Sequence, residues 1–144
     1  MKPILLIAES DNELRGLYER FLREHDYEVR TATNGLDCLE KLYHERPAAL
    51  VLDRDLQWGG GDGVLARLSE GNGAAEVAVV LTATTGSLAD FPEDIQLPVV
   101  RFLRKPFTLM TLLEAVRAAV ARERPEQPLF WSRTAACLQS SSDR

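Results

Sequence analysis

Short apolar runs alternate with apolar stripes at helical spacing along Met1–Arg122. Pro3–Ala8 is nearly all apolar and reads as a strand. Leu14, Leu17, Tyr18, Phe21 and Leu22 recur on one helical face, so an amphipathic helix is expected over Asp11–Glu24. Tyr27–Thr31 is a thinner second strand. Asn34 stands where it can cap a helix carrying Leu36, Leu39, Leu42 and Tyr43, which has to stop before Pro47. Ala48–Asp53 is apolar until its last residue, the pattern of a strand covered on both faces. Val64, Leu65 and Leu68 mark a short third helix ending near Gly71, and Glu76–Thr82 is a fourth strand. Pro92 and Pro98 limit any helix in Gly86–Pro98 to a turn or two. Val99–Arg104 is a fifth strand. Thr108 then caps a last helix with Leu109, Leu112, Leu113, Val116 and Val120 on one face. Strands alternating with helices in this way imply an α/β fold, a parallel sheet between two helix layers. Arg124–Pro128 breaks the alternation, so residues 1–122 read as one domain and 123–144 as a proline-containing linker and tail.

Composition narrows the function classes. A hydrophobic share of 45% supports a real core in 144 residues. The 17 basic and 22 acidic side chains leave a charge of −5, which argues against a nucleic-acid backbone as direct partner. No apolar run approaches the ~20 residues of a membrane helix, and the first strand is too short for a secretory core, so no membrane partner is expected. Cys38 and Cys137 lack a CxxC neighbour or a histidine pair, which implies no zinc site and suits a reducing, cytoplasmic setting. His25 and His44, near helix ends, are expected to be solvated.

The chemistry concentrates at the ends of the predicted strands. Strand one ends in Glu9-Ser10-Asp11, strand three in Asp53-Arg54-Asp55, strand four in Thr82-Ala83 and strand five in Lys105-Pro106. In a parallel sheet these tips share one edge, the usual ligand edge of such folds. Taken singly each has a plain structural reading: a polar turn at Asp53, a strand end at Thr82, a solvated cation at Lys105, a core aromatic at Phe102. Together they form a phosphoryl site. A carboxylate can be the nucleophile, Mg²⁺ prefers carboxylate and carbonyl oxygens, and ammonium and hydroxyl donors match the transferred group.

Glu9, Asp53, Thr82-Ala83, Phe102 and Lys105-Pro106-Phe107, in this order, resemble the receiver domain of bacterial two-component response regulators over Lys2–Arg122. The resemblance implies a flavodoxin-like five-stranded parallel sheet of order 2-1-3-4-5. It implies Asp53 as phosphoryl acceptor, Thr82 and Lys105 as its catalytic companions, and a histidine kinase or phosphotransfer protein as donor. Mg²⁺ would be held by Glu9, Asp53 and the backbone carbonyl of Asp55, with Ser10 or Asp11 as further candidates. Thr82 and Phe102 would form the switch toward an output protein, and Lys105-Pro106 would be a cis peptide. The resemblance implies a signalling module rather than an enzyme.

Three features make the resemblance atypical. Ser10 stands where the family has a second acid, and Ser10-Asp11-Asn12-Glu13 also reads as an S-x-x-E capping box with Asp11 in the first helical turn. The Gln57–Gly61 loop is longer than the family's and carries Trp58, read as a lid on its own domain ahead of a partner contact. The fourth helix of the family is broken by proline. One alternative is therefore a pseudo-receiver, an interaction platform with weakened Mg²⁺ binding. A dehalogenase-type phosphatase, suggested by "VLDRD", is disfavoured because Phe107–Arg122 supplies only Glu114 after the lysine.

Overall fold

The computed structural model describes residues 1–57, 60–70, 77–91 and 98–122. Five strands, β1 (Ile4–Ala8), β2 (Glu28–Ala32), β3 (Ala49–Asp53), β4 (Ala78–Ala83) and β5 (Val99–Arg104), alternate with α1 (Asn12–Arg23), α2 (Gly35–Glu45), α3 (Gly60–Leu68) and α4 (Leu109–Arg122). The sheet is parallel, in the order β2-β1-β3-β4-β5. This is the flavodoxin-like arrangement that the resemblance implies.

Strand periodicity divides the core in two. Leu5, Ile7, Val51 and Val80 face Tyr18 and Leu22 of α1 and Leu112 and Val116 of α4. Their neighbours Leu6, Leu50, Leu52 and Leu81 face Cys38 and Leu42 of α2 and Leu65 and Leu68 of α3. β3 lies centrally and is buried at every position, as its unbroken apolar run requires.

The helix ends show which polar residues serve structure. Asn34 caps α2 by accepting the Asp37 N–H at 2.8 Å, and Thr108 Oγ1 accepts the Thr111 N–H at 3.1 Å. The expected capping box at Ser10 is corrected. The N-cap of α1 is Asp11, whose Oδ1 accepts from the N–H groups of Glu13 at 2.9 Å and Leu14 at 3.0 Å. A carboxylate offers the exposed helix N-terminus a full negative charge, which a serine hydroxyl lacks. The cap therefore falls one residue later, and Ser10 precedes it.

Between β4 and β5, the described residues contain one 3-10 turn, Leu88–Asp90, capped by Ser87. Residues 92–97 lie outside the described residues, as do Trp58, Cys137 and the expected tail at 123–144. Among the described residues no helix is long and apolar enough to cross a membrane.

Candidate functional site

The C-terminal ends of β1, β3, β4 and β5 gather four of the predicted residues. Asp53 and Thr82 are register partners on adjacent strands. Glu9 follows β1 with its N–H on Ala32 O at 3.1 Å, and Lys105 follows β5 with its N–H on Ala83 O at 2.8 Å. The Lys105-Pro106 peptide is cis. The Lys105 ammonium donates to Glu9 Oε1 at 3.0 Å and lies 3.5 Å from Asp53 Oδ1. Glu9 and Asp53 are each 2% exposed and Thr82 is fully buried.

Two carboxylates and one ammonium leave the cluster with an excess negative charge. Asp53 Oδ1 accepts the Asp55 N–H at 2.9 Å, and Glu9 Oε2 accepts the Asp11 N–H at 3.0 Å. Asp53 Oδ2 takes no hydrogen bond from any described residue. Among the described residues Thr82 Oγ1 is buried without a partner, and such a group calls for an acceptor that the resting cluster does not supply. Burial pushes the Glu9 carboxyl above its usual range. The Asp11 N–H and Lys105 oppose that rise, and the Asp53 charge adds to it. Burial pulls Lys105 down, but the bond to Glu9 and the charges of Glu9 and Asp53 outweigh it and raise its pKa. The lysine stays an ammonium at neutral pH. Beneath the cluster Tyr18 stacks on Phe107, ring centroids 5.8 Å apart. Burial, then the charges of Glu9, Asp53 and Asp11, push its phenol upward, so it stays neutral.

The other expected residues are placed differently. The Asp55 carboxylate turns outward, its Oδ2 accepting from Thr84 Oγ1 at 3.2 Å. Asp11 is occupied as the α1 cap, and Ser10 O accepts a long 3.5 Å contact from Arg15 Nη1. Phe102 is half-buried and packs on the α2/α3 side of the sheet, as does Phe91. His25 is corrected from a solvated residue: it is half-buried, with Nδ1 2.9 Å from Phe21 O. His44 is exposed and Cys38 is buried.

Sequence reasoning passed over Arg54, whose side chain reaches Asp62 in α3 and Asp90 in the turn after β4. Its position beside Asp53 was the available signal. A single arginine after a strand has no periodicity to mark it.

The donor set suits a hard divalent cation, because Glu9 and Asp53 bring two carboxylates to one ammonium and, among the described residues, one Asp53 oxygen is free of hydrogen bonds. Among the described residues no group of three or more His, Cys, Asp or Glu converges as a metal site. The acidic donors are thus a pair, and backbone carbonyl and water oxygens would complete any octahedron.

Comparison with known proteins gives the family and the fold. The response regulator receiver domain family matches residues 5–117. The response regulator MprA of Mycobacterium tuberculosis is 32% identical over 126 residues, covering 88% of this chain and 54% of that protein. The transcriptional regulatory protein PrrA of Mycobacterium bovis is 29% identical over 120 residues, covering 83% and 51%. The chain thus spans about half the length of these relatives. Among solved structures, a CheY-like response regulator receiver domain protein from Methanospirillum hungatei superimposes with a TM-score of 0.75 at 18% identity, covering 85% of this chain and 97% of that one. The receiver domain of the sensor histidine kinase PA1611 from Pseudomonas aeruginosa, with a magnesium ion coordinated in its active site cleft, gives 0.72 at 17% identity, covering 84% and 99%.

Proposed function

The chain belongs to the response regulator receiver domain family, and on that premise we propose that it accepts a phosphoryl group on Asp53 from a histidine kinase or phosphotransfer protein. The observation that carries this reading is the convergence of Lys105, Glu9 and Asp53 beside the unpartnered Thr82 hydroxyl. Asp53 Oδ2 attacks phosphorus as the donor's P–N bond breaks. The electron pair of that bond stays on the histidine nitrogen, and the product is an acyl phosphate. Lys105 and Thr82 are the donors for the phosphoryl oxygens, one as a charge and one as a neutral hydroxyl. The hydroxyl thereby gains the acceptor that it lacks at rest.

Glu9, Asp53 and the Asp55 backbone carbonyl are the proposed holders of Mg²⁺, which when bound would offset the negative charge that collects at the acceptor. With two acidic donors the affinity should be modest. That same pair is the observation favouring the second reading, a pseudo-receiver that serves as an interaction platform with weak Mg²⁺ binding. The cytoplasm, where kinase and nucleotide meet, is the proposed setting, and the output protein is a protein partner rather than nucleic acid bound directly.

Intact mass spectrometry after incubation with a small-molecule phosphodonor separates the two readings. A receiver gains the mass of one phosphoryl group when Mg²⁺ is present and not when it is chelated. A platform gains none in either condition.

A further inference from the structure

Arg54 fastens together the two loops that flank the acceptor. Its Nε lies 2.8 Å from Asp62 Oδ1 and its Nη2 3.3 Å from Asp62 Oδ2, a two-pronged grip on the first turn of α3. Its Nη1 donates to Asp90 Oδ2 at 2.8 Å across the gap to the turn after β4. The guanidinium also lies 4.6 Å from the centroid of the Phe91 ring, a cation–π distance. The backbone makes room for this arrangement. Gly86 has φ +89°, and a Cβ there would strike the Asp90 carboxylate and come within 2.8 Å of Arg54 Nη1. A Cβ on Gly61 would come within 2.6 Å of Arg54 Cα. Asp90 Oδ2 also accepts the Ser87 N–H at 3.1 Å, so the same carboxylate orders its own turn.

We propose that the Arg54–Asp90 bridge is a latch that holds Thr84–Phe91 in its resting position and opens when Asp53 is phosphorylated. The proposal rests on Asp53 being the acceptor. Arg54 is the next residue, its Cα about 3.8 Å from that of Asp53. A phosphoryl group brings about two negative charges and three acceptor oxygens, which compete for a guanidinium fork. Asp62 holds that fork through two contacts and Asp90 through one. Both aspartates are solvated, 56% exposed for Asp62 and 44% for Asp90, so the number of contacts decides which one gives way. Thr82, the register partner of Asp53, lies two residues before Thr84. Drawing its hydroxyl toward the phosphoryl group therefore pulls on the latched segment from its other end. Linkage makes the effect reciprocal at equilibrium, so opening the latch should favour the phosphorylated state.

Hydrogen exchange at Ser87–Phe91, read in wild type and Asp90→Asn with and without phosphodonor and Mg²⁺, tests the latch. Asparagine keeps an oxygen for the Ser87 N–H and removes the charge that holds Arg54. Asp90→Asn should raise exchange in this segment several-fold without phosphorylation, to the level of phosphorylated wild type, and phosphorylation should add little more. Arg54→Lys, which cannot span both carboxylates, should behave alike. Phosphorylated wild type with unchanged exchange at Ser87–Phe91, or Asp90→Asn that exchanges like resting wild type, overturns the latch. Intact mass on the same samples separates the two claims. A wild type that gains no phosphoryl mass defeats the acceptor reading and the latch with it, whereas a mass gain without a change in exchange defeats the latch alone.

Discussion

Lys105 Nζ stands 3.0 Å from Glu9 Oε1, a contact between residues 96 positions apart that closes the two outer elements of the site over Asp53. The lysine side chain is 14% exposed and the glutamate 3%, so the pair interacts with little screening. Removing one partner of such a pair leaves the other charge buried. Lys105→Met should lower the unfolding free energy by about 3 kcal/mol, read by urea denaturation at neutral pH. Adding Glu9→Gln should restore part of the loss. A single variant as stable as wild type would mean that solvent already compensates Glu9.

The raised pKa of Glu9 has a consequence opposite to that of most paired acids. The folded protein holds this proton more tightly than the unfolded chain does. The contribution of Glu9 to stability is thus greatest at low pH and declines as pH rises from its ordinary value of 4.5 through the higher folded value. Measured against Glu9→Gln by urea midpoints, wild type should lose relative stability across that window. A relative gain with rising pH would show that Lys105 outweighs burial.

Asp11 and Ser10 exchange roles relative to the sequence pattern, and mutation can tell them apart. Asp11→Ala removes the acceptor of two helix N–H groups and should cost about 1 kcal/mol. Ser10→Ala should leave thermal unfolding nearly unchanged. Equal losses would return the cap to Ser10.

Since Ser10 carries no cap, Ser10→Asp can add an acid next to Glu9 without disturbing α1. A third carboxylate should tighten Mg²⁺ binding, seen as a lower dissociation constant by titration calorimetry. An unchanged or weaker constant would place this position outside the metal shell.

Much of this fold is legible in the sequence because burial writes itself into periodicity. β3 shows an unbroken apolar run since both its faces are covered, and α1 shows a stripe since one face is. Element ends shifted by a residue or two where strand pairing, which no local pattern reports, sets the limit. β4 ends at Ala83 rather than Thr82. Glu9, Asp53, Thr82 and Lys105 are legible as a group because a parallel sheet brings strand tips to one edge. The Arg54 bridge is not, because it depends on a glycine at positive φ and on two aspartates 8 and 36 positions away. The capping choice at Ser10-Asp11 turned on one residue of phase that both patterns satisfy.

The central claim is that Asp53 receives the phosphoryl group, and the measurement that tests it most directly is the intact mass of wild type and Asp53→Asn after the same incubation with phosphodonor and Mg²⁺, followed by peptide mapping. The account predicts one added phosphoryl group on wild type, mapped to the peptide containing Asp53, and none on Asp53→Asn. A phosphoryl group that persists on Asp53→Asn, or that maps to Asp55, would contradict it.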